Sequence, residues 1–524
     1  MAENEPNVLF LLSDEHSFRC LSHADGERGE PVETPTFDRL ARNGTNFDRT
    51  YCQMPLCTPS RLCMLTGREV RACNAWGNNC VLPPDCPTIP GAFSAAGYDT
   101  ALVGKMHLGG SRQFVGFDDR PYGDLTGGTG HQWEPTHRTG GLSMLDRIRD
   151  AGVTEIPESQ LQEYATTRES LAWIREREAE SDDPWFLTAS FSRPHFPLTA
   201  PRRYLNRYWD VDANEPRDRL TEPKVGREGD TTDHPMTQGA IEGFRTDEIG
   251  ETERQRARAS YFACVDFLDD IVGEFLATLE RDGLLEDTVV VYASDHGELA
   301  GEHGLWWKHT WHEAATRVPF IVETPGHRRG EHEPATVETP TSLADLFPTL
   351  CGLAGVDAPA DLDGTDLSTA VETGVEPDRG PVVCDNLIPR WGAGTEFRMV
   401  RDGDYKYIQF RDAPDLLFDL AADPLEQTNL AREASGSDVS GAHAAELDRL
   451  RTVANETMDF EAAATERERA TLEDDYALEA QTPSPSGNCY LRADGRVVDA
   501  DEPLYDPDVV VDDPESAFAD YPED

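Results

Sequence analysis

The sequence predicts an α/β protein: a large, mostly parallel mixed sheet flanked by helices, with a small antiparallel sheet near the C-terminus. Three observations predict it. Short, continuously apolar, β-rich runs recur along the chain, separated by stretches with helical periodicity, which is the pattern of buried parallel strands. Each of these runs ends in polar residues able to do chemistry, and ligands of such sheets bind beyond the carboxyl ends of the strands. Near residue 385 the texture changes to closely spaced strand-like runs around an Asp-Gly turn.

The elements follow in order. Val8–Leu12 runs into Ser13-Asp14-Glu15-His16. Thr34, Pro35 and Gly44 supply an N-cap, a first-turn proline and a terminal glycine around a helix over Phe37–Ala41. Thr100–Val103 leads to Gly104-Lys105-Met106-His107, and Trp185–Phe191 to Ser192-Arg193-Pro194-His195. Arg168–Glu180 is a charged-faced helix, and Glu251–Asp282 is one long amphipathic helix stopped by Gly283. The polar, weakly patterned stretch between them, 210–250, reads as a surface insertion. Thr288–Ala293 runs into Ser294-Asp295-His296-Gly297. Arg398–Ile408 is a hairpin and Leu416–Leu420 the next strand. These readings divide the chain into a catalytic α/β domain over 1–385, a small α+β unit over 386–480 and an acidic tail over 481–524.

A net charge of −52 repels nucleic acid and anionic membranes, so neither is expected as a partner. Lysine is nearly absent: Lys105, Lys224, Lys308 and Lys406 are all there are. Acidic excess with so little lysine suits a salt-rich, halophilic cytoplasm, where screening removes self-repulsion. The apolar run at the N-terminus is too short for a signal-peptide core or a membrane span, so a cytoplasmic protein with reduced thiols is expected. The 11 cysteines form no CxxC pair, and no GxSxG elbow, P-loop or HExxH is present.

The central chemical signal is Cys57-Thr58-Pro59-Ser60-Arg61, followed by Leu65-Thr66-Gly67-Arg68. Pro59 in a first helical turn sets Cys57 near a helix N-terminus, where amide donors favour an anion. The motif resembles the signature of the formylglycine-dependent sulfatases, in the alkaline-phosphatase-like superfamily. The resemblance extends to Gly104-Lys105-Met106-His107, Ser294–Glu298, Arg317–Ile321 and Asp419–Leu430, and is strongest toward choline-sulfatase-like members. It implies that Cys57 is oxidised to formylglycine by a separate formylglycine-generating enzyme. Hydrated, that aldehyde is a geminal diol, one oxygen of which attacks sulfur while the other expels sulfate.

The same resemblance implies a metal held by Asp14, Cys57, Asp295 and His296, with calcium favoured and manganese or magnesium open. Glu15 stands where many relatives carry a second aspartate. Arg61 would hold the diol or a metal-bound oxygen, Lys105 the diol or sulfate, and His107 would take the diol proton. His195 and Lys308 would serve the leaving alkoxide. Asn79, or its neighbour Asn78, would touch sulfate. Trp133, with Trp306, Trp307, Trp311 and Trp391, could cage a quaternary ammonium with Asp385 as counter-charge. The expected reaction is hydrolysis of a small-molecule or saccharide sulfate ester, by a monomer or a homo-oligomer. A phosphonate or phosphate ester hydrolase on the same scaffold and a non-catalytic binder of sulfated ligands are the alternatives.

Overall fold

The computed structural model describes residues 5–24, 29–78, 80–83, 85–109, 113–123, 144–434, 442–473, 489–491 and 497–499. The main sheet contains β1 (Asn7–Asp14), β2 (Thr45–Phe47), β3 (Asp99–Gly104), β4 (Asp119–Tyr122), β5 (Trp185–Pro194), β6 (Thr288–Ser294), β7 (Phe320–Glu323) and β8 (Ala335–Val337). Their spatial order is β8-β2-β7-β6-β1-β5-β3-β4. Strands β4, β3, β5, β1 and β6 run parallel, β7 is antiparallel between β6 and β2, and β8 pairs parallel to β2. Val8 to Leu12 are wholly buried, which explains why this central strand reads as an unbroken apolar run.

Helices cover the sheet. They include α1 (Pro35–Asn43), α2 (Cys57–Thr66), α3 (Gln162–Glu180), α4 (Pro235–Phe244) and α5 (Glu251–Arg281). Helices α3 and α5 pack on β5, while α1 lies against β7 and α5. Thr34 does not cap α1 with its side chain. Asp269 of α5 does so instead, accepting from Thr36 N at 3.0 Å and Phe37 N at 2.9 Å. None of the described helices is long and apolar enough to cross a membrane, and the ten cysteines whose side chains are described form no disulfide.

The stretch read as a surface insertion is more than that. Within it α4 buries Met236, Ala240 and Phe244. Its Gly239 admits the backbone of Trp391, since a Cβ there would lie 1.8 Å from the Trp391 carbonyl oxygen.

The second sheet is antiparallel throughout: β9 (Val382–Asn386), β10 (Phe397–Asp402), β11 (Tyr405–Phe410) and β12 (Leu416–Asp419). Period-two alternation divides it. Val400, Tyr407 and Leu417 pack with Leu447, Leu450 and Ala454 of α6 (Ala442–Thr457). Cys384, Met399, Ile408 and Phe418 on the other face join the main core.

Candidate active site

Sheet register builds the site. Ser13 of β1 lies opposite Ser294 of β6, so Asp14 and Asp295 leave the sheet side by side. On the other flank of β1, Asp14 pairs with Pro194 of β5, and His195 N donates to Asp14 O at 3.2 Å. β3 ends at Gly104 with φ +97°, where a Cβ would sit 2.0 Å from Ser190 O, so the next residue, Lys105, is delivered by a turn that only glycine allows. The four strand tips converge as the sequence predicts.

Cys57 opens α2, inside the body of the protein. Its Sγ lies 3.2 Å from His296 Nε2, 3.6 Å from Lys308 Nζ and 3.7 Å from Asp14 Oδ1. Burial, then Asp14, pushes the thiol up to about 12, so the unmodified side chain is a protonated, weak nucleophile at neutral pH. Asn78 Oδ1 accepts from Thr58 N in the first turn at 3.2 Å, and Ser60 Oγ donates to Asp295 O at 2.5 Å. Asn79 and Trp133 lie outside the described residues.

Arg61 donates to Asp295 Oδ2 at 2.7 Å and Asp14 Oδ2 at 2.9 Å, with further bonds to Lys105 O and Ser190 Oγ. One cation thus fixes both carboxylates through one oxygen each, and the Oδ1 atoms turn toward Cys57 and His296. Lys105 Nζ lies 2.6 Å from Asp14 Oδ2. Burial opposes charge on Asp14, but Lys105, Arg61 and Lys308 outweigh it and hold the carboxyl well below the usual range.

Two imidazoles are held neutral. Burial, reinforced by Lys308, depresses His296, and burial with Lys105 depresses His107. His296 Nδ1 donates to Gly297 O at 3.0 Å, which leaves a lone pair on the Nε2 that faces Cys57. His107 adopts φ 58°, and its carbonyl accepts from Thr58 Oγ1 at 2.7 Å.

Glu15 sits between the other two expected groups, 3.0 Å from Lys308 Nζ and 3.3 Å from His195 Nε2. Burial opposes charge on Lys308, yet Cys57, Glu15 and Asp14 raise it above the ordinary lysine value. Sequence reasoning missed Glu298, whose carboxyl faces Glu15 and accepts from Ala300 N at 2.7 Å and Trp307 N at 2.6 Å. Its place in Ser294–Glu298, directly after a strand tip, was the available signal.

The other tryptophans expected in the cage are tightly packed. Trp306 and Trp311 are sealed in the core, and Trp307 and Trp391 pack against Phe244 with ring centroids at 5.0 and 4.4 Å. Asp385 is no free counter-charge: Arg398 binds both its oxygens, at 2.8 and 2.6 Å. Close to His195, Arg147 stacks on the Phe196 ring at 3.8 Å.

The donor set fits a divalent cation. Ligand atoms of Asp14, Cys57, Asp295 and His296 all lie within 4.8 Å of one another. Two carboxylates and a neutral imidazole make a hard, oxygen-rich site. Asp14, Glu15 and His195 form a second group by the same measure.

The sulfatase family profile matches residues 6–356, and that of the N-sulphoglucosamine sulphohydrolase C-terminal region matches 301–453. The chain is 32% identical to choline-sulfatase of Rhizobium meliloti over 83% of its own length and 84% of that protein. It is 28% identical to an ulvan-active sulfatase of Formosa agariphila, over 81% of this chain and 77% of that one. Among solved structures, the phosphonate monoester hydrolase of Agrobacterium radiobacter shares the fold, with TM-score 0.71 and 24% identity over 87% of this chain and 96% of that one. With the family profile spanning most of its length and its strand tips gathered as described, the chain belongs to the sulfatase family of the alkaline-phosphatase-like superfamily and is a sulfuric ester hydrolase.

Proposed function

We propose that the enzyme cleaves a sulfate monoester to an alcohol and inorganic sulfate, using formylglycine made from Cys57 and a divalent metal held by Asp14, Asp295, His296 and residue 57. The observation that carries this reading is the position of Cys57: first residue of α2, with a neutral imidazole, a lysine and a carboxylate all within 3.7 Å of its Sγ. A bound dication, calcium first with magnesium or manganese open, supplies Lewis acidity and charge neutralisation for the sulfate oxygens.

The chain's own residues do the rest. Arg61 fixes the two carboxylate ligands so that one oxygen of each faces the centre. Lys105 and Lys308 place positive charge where the sulfate and the leaving oxygen gather negative charge. His107, neutral and buried, accepts the proton whose removal from residue 57 expels sulfate. His195 and Lys308 neutralise or protonate the leaving alkoxide. Asn79 and Trp133 are assigned to the substrate, sulfate and alcohol respectively. The alcohol is that of a small molecule or a saccharide.

Mass spectrometry of the tryptic peptide carrying residue 57, from protein made in its own host, tests the nucleophile. Formylglycine or its hydrate is the expected species, and an unmodified thiol in active protein overturns it. Rates on a sulfate ester and its phosphate counterpart test the substrate. A phosphate preference would replace this reading with a phosphonate or phosphate ester hydrolase. Binding of sulfated ligands without turnover by matured protein would replace it with a binding role.

A further inference from the structure

We infer that the small C-terminal sheet positions the catalytic loop, through Lys406 and Trp391, and so tunes both metal affinity and turnover. The loop is 296–316, which carries His296 at one end and Lys308 in the middle. The small sheet and the turn between β9 and β10 hold it at two points.

The first point is Lys406 of β11, fully buried. Its Nζ donates to Glu313 Oε1 at 3.0 Å and Glu426 Oε1 at 2.8 Å. Glu426 Oε2 in turn accepts from Glu313 N at 2.8 Å, and Tyr51 Oη donates to Glu313 Oε2 at 3.0 Å. Glu313 is the first residue of the short helix Glu313–Thr316. Gly297 N donates to Ala315 O of that helix at 2.9 Å, and a Cβ on Gly297 would meet Ala314 O at 2.0 Å. Gly297 O is the acceptor that fixes His296 Nδ1. The chain of contacts from Lys406 to the imidazole lone pair is therefore continuous, and it sets the face His296 turns toward Cys57.

The second point is Trp391. Its indole Nε1 donates to His309 O at 3.0 Å, next to Lys308. His309 N donates to Pro55 O at 3.1 Å, two residues before Cys57. The residue that bears the leaving-group cation is pinned between α2 and the turn before β10. Gly239 and Gly243 of α4 give Trp391 its seat.

The metal half of this inference rests on the proposed metal site; the turnover half does not. Two variants test it: Trp391→Phe, which removes one N–H and keeps the ring, and the charge-balanced pair Lys406→Met with Glu426→Gln. Each is read for folded fraction by circular dichroism, for kcat and KM separately, and for Mn2+ and Ca2+ affinity by titration. Positioning predicts correctly folded proteins whose kcat falls about 10- to 100-fold with KM little changed, and a similar loss of metal affinity in the Lys406 pair. Folded variants with parental kcat and metal affinity would overturn the inference. So would losses that track the folded fraction alone. If the parent binds neither ion, the metal assignment fails, while the kcat of Trp391→Phe still decides the positioning role.

Discussion

Two clusters of buried charge sit about one short helix apart, and they are built on opposite rules. Around Lys406 each carboxylate oxygen of Glu313 and Glu426 meets a donor: lysine, tyrosine or backbone N–H. Around Cys57, the Oδ2 oxygens of Asp14 and Asp295 are clamped by Arg61, while Asp14 Oδ1, the thiol and His296 Nε2 stand 3.2 to 3.8 Å from one another. The first cluster is complete as it stands. The second is buried, charged and spaced for a further ion. Burial of charge alone does not mark a site; burial with donor atoms left facing a common point does.

The contrast can be broken by mutation, and the largest effect belongs to residue 57. Cys57→Ala removes the proposed precursor of the nucleophile, and steady-state assays should show turnover lowered by at least about a thousandfold with little change in stability. Arg61→Met comes next. It leaves Asp14 and Asp295 facing each other without their shared cation, and denaturant unfolding should register a loss of about 3–5 kcal/mol in metal-free protein. Chelation should lower the stability of the parent, by about 2.7 kcal/mol relative to metal at a hundred times its dissociation constant.

The saturated cluster makes a pH prediction. Burial raises Glu313, but Lys406, Arg317 and Arg401 outweigh it and bring the group to about 2, below the ordinary glutamate value of 4.5. A depressed folded-state value contributes stability above 4.5 that is lost as pH falls toward 2. Acid unfolding of Glu313→Gln should accordingly be less steep over that window than that of the parent, monitored by far-ultraviolet circular dichroism. The smallest effect is expected at Arg71 and Glu466, a partly exposed pair at 2.7 Å. Arg71→Ala should change stability by less than about 1 kcal/mol and leave kcat unaltered.

The legible part of this protein was what local sequence controls. Val8–Leu12 and Thr288–Ala293 announced the two central strands, and the polar residues at their ends were the ones the sheet brings together. The Glu251 helix was readable from its periodicity and the stop at Gly283. Helix Pro235–Phe244 was not, because Gly239 and Gly243 argue against a helix locally and are explained only by Trp391, some 150 residues on. The carboxylate partners of Arg61 could not be read, since Asp14 and Asp295 come side by side only through the register of β1 and β6. Asp385 misled for the same reason: Arg398, which neutralises it, is its partner only once β9 and β10 pair.

The burial of Cys57 has a consequence in time. The residue is 1% exposed, so any reagent or enzyme that acts on its thiol meets it in the chain before it folds. His296 lies 239 residues further along. At ribosomal rates of about 5–20 residues per second, roughly 12–48 seconds pass between synthesis of the two. Through that interval the β1–β6 pairing that walls in the thiol cannot form, and the unfinished chain itself leaves the thiol open to solvent.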